Sequence, residues 1–307
     1  MFALNRAIKT IKSKKTDENS INHVYNMNNK LIKPFDIMSI FSKCGIQIEQ
    51  FGYNINKLSI YQTAFTHKSY VIGIIPEDDL EKIPIPSGCI ELQINSNERL
   101  EFLGDSIIGA FVVSYLYHRY PTQNEAFLTR LKTKLVRTET LAKFSKYLQL
   151  QKFLLLSQYV DEMCDGRNTE RLLEDLFESF IGAVYKDIVN FEMTGMLRKN
   201  TGIATDVCNS ILKHVIEANI DFRELVCDND NYKEVIQHYF QKHFAQYPKY
   251  DIISVEGVLK DKIHTVGVQN PNNSLIIGTG RANKKIDAEQ LAAKDAIEWI
   301  RKNLEQN

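Results

Sequence analysis

The chain has 307 residues, 44% of them hydrophobic, and its 38 basic and 38 acidic side chains give a formal net charge of zero at pH 7. A soluble globular chain of this length is expected to bury a core and to form two domains. The longest apolar run, residues 107–113, is far shorter than the roughly 20 residues that span a bilayer, so we expect no membrane segment. The five cysteines are scattered without paired spacing, which argues against a zinc or dithiol motif and fits a reducing compartment.

The chain begins with a basic stretch, because residues 1–34 hold seven Lys and Arg against two acids. The stretch lacks the apolar core and cleavage site of a secretory signal. We interpret it as a solvated basic extension of a cytoplasmic protein, with an organellar presequence as the alternative. Residues 231–307 hold eleven basic and nine acidic side chains, which leaves 20 basic and 27 acidic side chains, a net charge of −7, in residues 35–230. An acidic middle between basic ends favours a metal site in the middle and polyanion contacts outside it.

Residues 37–185 show apolar residues at helical spacing, as in FLTRLKTKLVRTETLAKFSKYL at 127–148, and few alternating stretches. This pattern predicts an all-α bundle. Residues 71–96 interrupt it, because they include three of the seven prolines and show no helical period. We expect an irregular surface insertion there.

The first group of acidic residues in this bundle lies in the stretch NERLEFLGDS. Glu98, Glu101 and Asp105 are spaced i, i+3, i+7, so they share one face of a predicted helix. That face continues through Ile108 and Val112, which we expect to be buried. Carboxylates that lead into a buried stripe lose hydration, and they protonate unless a cation compensates for the loss.

A second stretch, TERLLEDLFESFIGAVY at 169–185, repeats the arrangement with Asp175 and Glu178 at i, i+3 among apolar residues. Two such helices face to face would offer four oxygen ligands. Hard oxygen ligands without a nearby Cys or His pair favour Mg²⁺ or Mn²⁺ over zinc. Ordinary helix-surface acids are the alternative interpretation, since E-x-x-E pairs are common. A di-iron carboxylate bundle requires E-x-x-H motifs, which neither stretch has.

These motifs resemble those of the ribonuclease III family. NERLEFLGDS followed by LYHRYP is similar to the signature helix of that family, and LEDLFESFIGAVY is similar to its second catalytic segment. TAFTHKSY upstream and LTRLKTKLVRTETLA between the two segments agree in order. The resemblance covers residues 35–190 and implies an all-α ribonuclease III helical domain.

The resemblance also implies a set of catalytic residues. The metal-binding carboxylates of the family fall on Glu101, Asp105, Asp175 and Glu178, and all four are present in this sequence. In the family, Mg²⁺ held by these acids activates a water that attacks the phosphodiester in line, and we expect Mn²⁺ to substitute. The products are 5′-phosphate and 3′-hydroxyl ends.

Four neighbouring residues have supporting or competing interpretations. Glu98 and Glu125 match further acids of the family, and we expect them to support the site. Phe102 stands where the family has a dimer contact, with a core phenylalanine as the alternative. His67 in THKS is better interpreted as a hydrogen-bonded structural histidine than as a general base, because metal-activated water needs no such base.

One catalytic domain supplies one half-site, so the resemblance implies a homodimer that cuts both strands and leaves short 3′ overhangs.

Residues 191–229 contain a predicted helix, DVCNSILKHVIEANI, and then the start of the polar stretch CDNDN, which we interpret as a linker. Residues 230–302 follow with a helix, three strand candidates and a last helix. The order α-β-β-β-α predicts a small α+β domain whose sheet packs against two helices. Together with GTGRANKKIDAEQLAAKDAI, this order resembles a double-stranded-RNA-binding domain, so the implied partner is double-stranded RNA.

Five residues of this second domain are candidate RNA contacts: Gln237, His238, Lys260, Lys284 and Lys285. The last two open a predicted helix, where side-chain charge and helix dipole would act together on a phosphate. A solvated helix end is the alternative. Lys260 and His238 replace residues that are usual in the family, and the domain is only mildly basic. We therefore expect binding by this domain alone to be modest and sensitive to salt.

The leading hypothesis is a divalent-metal-dependent endoribonuclease that is specific for double-stranded RNA and acts as a homodimer. The alternative is a nuclease-derived protein that sequesters duplex RNA, or packs in a ribonucleoprotein, without cutting. The four intact carboxylates argue against that alternative. Cleavage of DNA or of single strands is disfavoured, because the second domain resembles a duplex-RNA reader and shows no array of stacking aromatic residues.

Overall fold

The chain forms two compact units, Met1–Leu225 and Val226–Asn307. The computed structural model describes residues 24–47, 54–74, 84–193, 202–227, 232–257, 262–270 and 274–304. The first unit is helical, as predicted. Its α-helices are α1 Pro34–Lys43, α2 Leu58–Ala64, α3 Glu98–Arg119, α4 Glu125–Leu135, α5 Thr138–Leu148, α6 Glu170–Met193, α7 Ile203–Asn219 and α8 Phe222–Cys227, the last at the boundary between the units.

Helices α3 and α6 pack closely along each other, and α6, which is buried on most of its sides, forms the centre of the first unit. The inward side of α3 repeats every four residues, through Leu100, Gly104, Ile108, Val112 and Leu116. The expected burial of Ile108 and Val112 is confirmed, because only 2% and 1% of their surfaces are exposed. A helix buries one such stripe when apolar or small residues recur at this spacing.

The helical pattern over 127–148 divides into two helices, α4 and α5. Val136 ends the first and Arg137 precedes the second, and the Thr140 hydroxyl donates a 2.8 Å hydrogen bond to the Lys134 carbonyl across the break. At the start of α4, the Asn124 side chain accepts a hydrogen bond from the Phe127 backbone N–H. This cap satisfies one of the free N–H groups of the first turn.

The prediction of a solvated extension over residues 1–34 is wrong for residues 24–34, which form part of the packed first unit. Val24 and Ile32 are buried, and the Asn29 side chain accepts hydrogen bonds from the Leu156 N–H and from Arg167. Residues 1–23 lie outside the described residues.

The predicted insertion at 71–96 shows only a short 3₁₀ turn, Ile72–Ile74, and a single bridge between Val71 and Gln93 among its described residues. The Tyr70 hydroxyl donates a 2.6 Å hydrogen bond to the Ile90 carbonyl, which ties the segment back to the core. Residues 75–83 of the insertion lie outside the described part of the chain.

The second unit has the predicted order of elements: α9 Tyr232–Phe244, β1 Lys249–Glu256, β2 Ile263–Gln269, β3 Ile276–Ala282 and α10 Lys285–Leu304. The three strands form an antiparallel sheet in the order β1-β2-β3. Its core contains Ile236 and Phe240 of α9, Val268 of β2 and a row of alanines on α10. An α+β unit with the sheet against two helices is therefore confirmed.

By length and composition alone, α3 would also pass as a membrane span, with a mean hydropathy of 1.3 over its most apolar 18-residue window. One such helix is weak evidence, because the core helix of a soluble protein passes the same test. One side of α3 packs on α6 and the other side is exposed, so only 28% of that window is buried. The helix carries Glu98 and Glu101 in its first turn, and we interpret it as a half-buried helix of the first unit.

Candidate active site

Two glycines allow α3 and α6 to touch backbone to backbone. A Cβ atom at Gly104 would lie 1.8 Å from the carbonyl oxygen of Glu178, and one at Gly182 would lie 2.2 Å from that of Leu100. No side chain larger than hydrogen fits at either position without moving a helix. The crossing therefore fixes how closely the acidic residues of the two helices approach each other.

Three of the four predicted metal ligands meet at this crossing. Carboxylate oxygens of Glu101, Asp175 and Glu178 all lie within 4.8 Å of one another. Glu178 is buried, with 8% of its surface exposed, and the other two are half-buried. The fourth, Asp105, is exposed and lies outside this group of three. Its charge is one of those that raise the pKa of Glu178.

Burial and like charges raise the pKa values of these acids. The pKa of Asp175 rises to about 7, first because of desolvation and then because of the nearby charge of Glu101. Desolvation followed by the charges of Asp105 and Glu174 raises the pKa of Glu178 to about 8. The pKa of Glu101 is also raised, mainly by desolvation. Arg171 and Lys68 oppose the rise for Glu101 and Asp175, but they do not offset the burial and the like charges.

The residues present fit a divalent cation. Asp175 Oδ1 is buried and accepts no hydrogen bond of good geometry from the described residues; its neighbour is Arg171 Nε at 3.3 Å, an ion pair that still leaves the oxygen able to bind a cation. The group of three offers carboxylate oxygens only. Such hard ligands suit Mg²⁺ or Mn²⁺, and a cation would offset the repulsion that raises the pKa values.

The two acids with a predicted supporting role lie outside the group of three. Glu98 accepts a 3.1 Å hydrogen bond from Lys68 Nζ and another from the Ser96 hydroxyl. Glu125 begins α4, is exposed, and accepts a 2.8 Å hydrogen bond from the Thr129 hydroxyl. Their supporting role stays a prediction.

Sequence reasoning missed two charged residues at this site, Arg171 and Glu174. Arg171, one turn before Asp175 on α6, places Nε 3.3 Å from Asp175 Oδ1 and Nη1 3.3 Å from Glu174 Oε2. The spacing i, i+3 and i, i+4 was a readable signal, because residues at these intervals are neighbours on a helix. Glu174 directly precedes the predicted ligand Asp175. The sequence alone did not show that its side chain lies on the side of α6 that faces the site.

His67 and Phe102 are resolved differently by the structure. His67 is buried, and its Nδ1 accepts a 3.1 Å hydrogen bond from the Ser69 N–H and lies 2.8 Å from the Ser69 hydroxyl. Burial lowers the pKa of His67 to about 4. The structural interpretation of this histidine is confirmed. Phe102 is 78% exposed, so its alternative as a core residue is wrong and the dimer contact remains a prediction.

In the second unit, four of the five candidate RNA contacts are described and all four are exposed. Gln237 and His238 lie on α9, while Lys284 and Lys285 lie at the start of α10. Lys285 Nζ is 3.7 Å from a Glu289 carboxylate oxygen, so its charge is partly compensated. The fifth contact, Lys260, lies outside the described residues.

Family models match both units of this chain. The Ribonuclease III domain model matches residues 98–188, which include the crossing of α3 and α6. The Double-stranded RNA binding motif model matches residues 232–300, which run from α9 into α10.

Curated relatives match across the two units. The chain is similar to Ribonuclease 3 from Chlorobium chlorochromatii, with 35% identity over 78% of this chain and 84% of that protein. It is similar to Ribonuclease 3 from Streptococcus gordonii, with 32% identity over 81% of this chain and 93% of that protein. The Probable ribonuclease 3 of Acanthamoeba polyphaga mimivirus is 30% identical over 88% of this chain, which spans 46% of that longer protein.

Proposed function

The chain belongs to the ribonuclease III family, and from this premise we propose that it is a divalent-metal-dependent endoribonuclease acting on double-stranded RNA. The observation that carries the proposal is the convergence of Glu101, Asp175 and Glu178 within 4.8 Å, in a chain whose second unit matches a double-stranded RNA binding motif. A protein that only sequesters RNA has no need of this electrostatically costly cluster. Mg²⁺ is the cation that we propose.

The roles of the acidic residues follow from their burial. Glu101, Asp175 and Glu178 would hold the cation, and Asp105 at the exposed edge would interact with it from outside the group of three. When bound, a divalent cation lowers the pKa of a water molecule and stabilises charge on the phosphate in the transition state. The carboxylates must be ionised to bind it, so binding near pH 7 releases protons. Hydrolysis would leave 5′-phosphate and 3′-hydroxyl ends with short 3′ overhangs.

The exposed apolar face of α3 supports a homodimer. Phe102, Val113 and Tyr117 expose 78%, 50% and 66% of their surfaces, and their spacing of 11 and 4 residues places them on one stripe. This stripe lies on the same helix as Glu101, so a second copy bound to it would place two carboxylate groups near one interface. A duplex needs two such groups if both of its strands are to be cut.

The first experiment measures cleavage of a labelled RNA duplex by the purified protein in Mg²⁺. We expect cleavage of duplex RNA, and not of the same sequence as single-stranded RNA or as DNA. Glu178→Gln removes one charge with little change in shape, and it should reduce the rate by at least about 10²-fold while duplex binding persists. The control variant is Glu139→Gln, because Glu139 is an exposed glutamate on α5. This variant should cleave duplex RNA at the rate of the unaltered protein. Binding without cutting by the unaltered protein would favour the sequestering alternative.

A second experiment tests the homodimer. Phe102→Asp places a charge on the apolar stripe of α3 and should convert the protein to a monomer in sedimentation measurements, because an unpaired charge at an apolar contact is strongly unfavourable. Phe35→Asp is the matched control, since Phe35 is 80% exposed on α1. A dimer that survives the first substitution, or is lost equally in both variants, would place the interface elsewhere.

A further inference from the structure

Arg171 is a half-exposed cation next to the carboxylate group. Its side chain is 58% exposed, whereas those of its partners Glu174 and Asp175 are 12% and 19% exposed. The guanidinium group therefore covers the edge of the cluster, with acids on its inner side and solvent on its outer side.

The contacts of Arg171 leave donors free for an external acceptor. Both ion-pair distances are 3.3 Å, and the two oxygens involved, Glu174 Oε2 and Asp175 Oδ1, make no hydrogen bond of good geometry with the described residues. Charge rather than directed hydrogen bonding thus holds the arginine. An arginine has five N–H donors in a planar fork, and the exposed part of that fork can still receive an acceptor.

Glu174 has no evident role as a metal ligand. It lies outside the group of three, yet its side chain is 12% exposed, against 19% for Asp175, and its charge raises the pKa values of Asp175 and Glu178. Burying an acid costs free energy unless the acid is paired, and Arg171 is the cation that pairs with Glu174. If a cation engages Asp175, the arginine loses part of its hold there, and Glu174 is then the residue that keeps it at the edge.

We propose that Arg171 binds a backbone phosphate of the RNA strand that is being cut, and that Glu174 is the positioning residue that holds Arg171 for this contact. The inference rests on the proposed nuclease function. Its physical basis is proximity, because a phosphate bound at the carboxylate group would lie within a few ångströms of a guanidinium that already contacts Asp175. Arginine and phosphate form paired, charge-assisted hydrogen bonds, which give orientation as well as affinity.

The competing explanation is that Arg171 is only an intrahelical counter-ion for Asp175 and Glu174. In that case its removal would alter stability and cation affinity, and it would leave the number of RNA phosphates contacted unchanged. The two explanations therefore separate on the salt dependence of RNA binding, since each neutralised phosphate contributes about 0.7 to 0.9 to the slope of log K against log salt.

The test uses the full chain with Glu178→Gln, so that bound RNA stays intact, and a short RNA duplex that contains a preferred cut site. Arg171→Gln should weaken binding about 10-fold and reduce the salt slope by about 1 per bound protomer. Arg137→Gln is the matched control, because Arg137 is a 50% exposed arginine paired with Glu139 on α5. It should change neither quantity.

Neutral methylphosphonate linkages, placed singly around the cut site, identify the contact. One linkage position should weaken binding by the Arg171 protein and have no further effect in Arg171→Gln. Arg171→Lys should restore part of the affinity. Glu174→Gln keeps Arg171 but removes the ion pair that positions it. The loss of affinity caused by the neutral linkage at that position should therefore be smaller in this variant.

The outcomes separate this inference from the function on which it rests. If the unaltered protein fails to cut duplex RNA in Mg²⁺, the nuclease proposal fails. If it cuts, and Arg171→Gln is folded by circular dichroism but keeps the original affinity, salt slope and methylphosphonate pattern, then Arg171 is a counter-ion and the inference is overturned. A change confined to cation affinity or thermal stability overturns it equally.

Discussion

Both units of the chain use glycine to bring two elements into backbone contact, but for different ends. In the first unit, Gly104 brings the backbone of α3 against Glu178 of α6. In the second, a Cβ atom at Gly280 of β3 would lie 2.1 Å from the carbonyl oxygen of Ala288 on α10. The first contact gathers ionisable acids with raised pKa values, and the second gathers alanines that are fully buried.

This difference shows where each unit places its chemistry. At the crossing of α3 and α6, close packing holds Asp175 and Glu178 in a state that is unfavourable for charge, and a ligand can relieve it. Beneath the sheet, Gly280 packs closely against α10 and produces an apolar core without buried charge at the contact. The crossing of α3 and α6 is therefore part of the candidate active site, while the crossing of β3 and α10 only supports the exposed candidate RNA-binding residues.

The largest expected effect comes from filling the two crossings. Gly104→Ala and Gly280→Ala should each destabilise their own unit by about 1–3 kcal/mol, because the added methyl group meets backbone atoms rather than a movable side chain. Gly104→Ala should also abolish cleavage while duplex binding by the second unit persists, and Gly280→Ala should weaken duplex binding. Urea unfolding, cleavage and gel-shift assays measure these effects.

Gly109→Ala is the control for this pair of substitutions. Gly109 lies on α3, and a Cβ atom there would meet nothing within 4 Å in a single chain. It shares the apolar stripe of Phe102 and Val113, so both alanine variants of α3 are compared in the monomeric Phe102→Asp background. Alanine is favoured over glycine within a helix by roughly 0.5–1 kcal/mol, so this variant should be as stable as the parent or more stable. Equal destabilisation by Gly104→Ala and Gly109→Ala would contradict the role assigned to the crossing.

A smaller effect is expected in the pH dependence of stability of the first unit without added metal. Asp175 and Glu178 ionise near pH 4 when unfolded, but their folded pKa values are about 7 and about 8. Between pH 4 and pH 8 the folded state therefore binds more protons than the unfolded state does. Stability is fully present at the acid end of this window and is lost as the pH rises through 7 and 8. We expect a loss on the order of 2 kcal/mol, allowing for solvent screening.

Urea unfolding of the first unit at pH 5.5 and 8.5 measures this loss. Glu178→Gln should reduce it, since glutamine has no charge to bury. Saturating Mg²⁺ should also reduce it, because a cation that binds the ionised acids stabilises the folded state at high pH. If the unaltered protein without metal, the Glu178→Gln variant and the protein in saturating Mg²⁺ all show the same pH dependence, ionisation of these acids does not destabilise the unit.

Periodicity in the sequence was sufficient for much of the fold. The apolar spacing predicted that Ile108 and Val112 are buried, and the alternation in 250–280 predicted the three strands. These patterns are local, since a helix or strand buries whichever face carries its apolar residues. The break between α4 and α5 at residues 136–137 was not predicted, because the apolar period continues through it.

The geometry of the site depended on partners that are distant in sequence. Gly104 reads as an ordinary helix glycine until the backbone of Glu178 is placed against it. Asp105 shares a helical face with Glu101 in the sequence, yet it lies at the exposed edge, because α6 covers only part of that face. The exposure of Phe102 was equally unreadable, since an apolar residue beside a buried stripe fits either a core or an interface.

The smallest expected effect concerns the basic end of α10, and it sharpens the contrast between a site and a supported surface. Lys284→Gln with Lys285→Gln should weaken duplex binding about 3- to 10-fold and lower the salt slope by about 1 to 2, as for loss of phosphate contacts. Arg301→Gln with Lys302→Gln removes the same charge from the other end of the helix, where the dipole disfavours phosphate, and should have less effect. If both pairs weaken binding equally, net charge rather than the helix start attracts the RNA. Neither pair should alter the metal dependence of cleavage, because the cation would be held by the first unit alone.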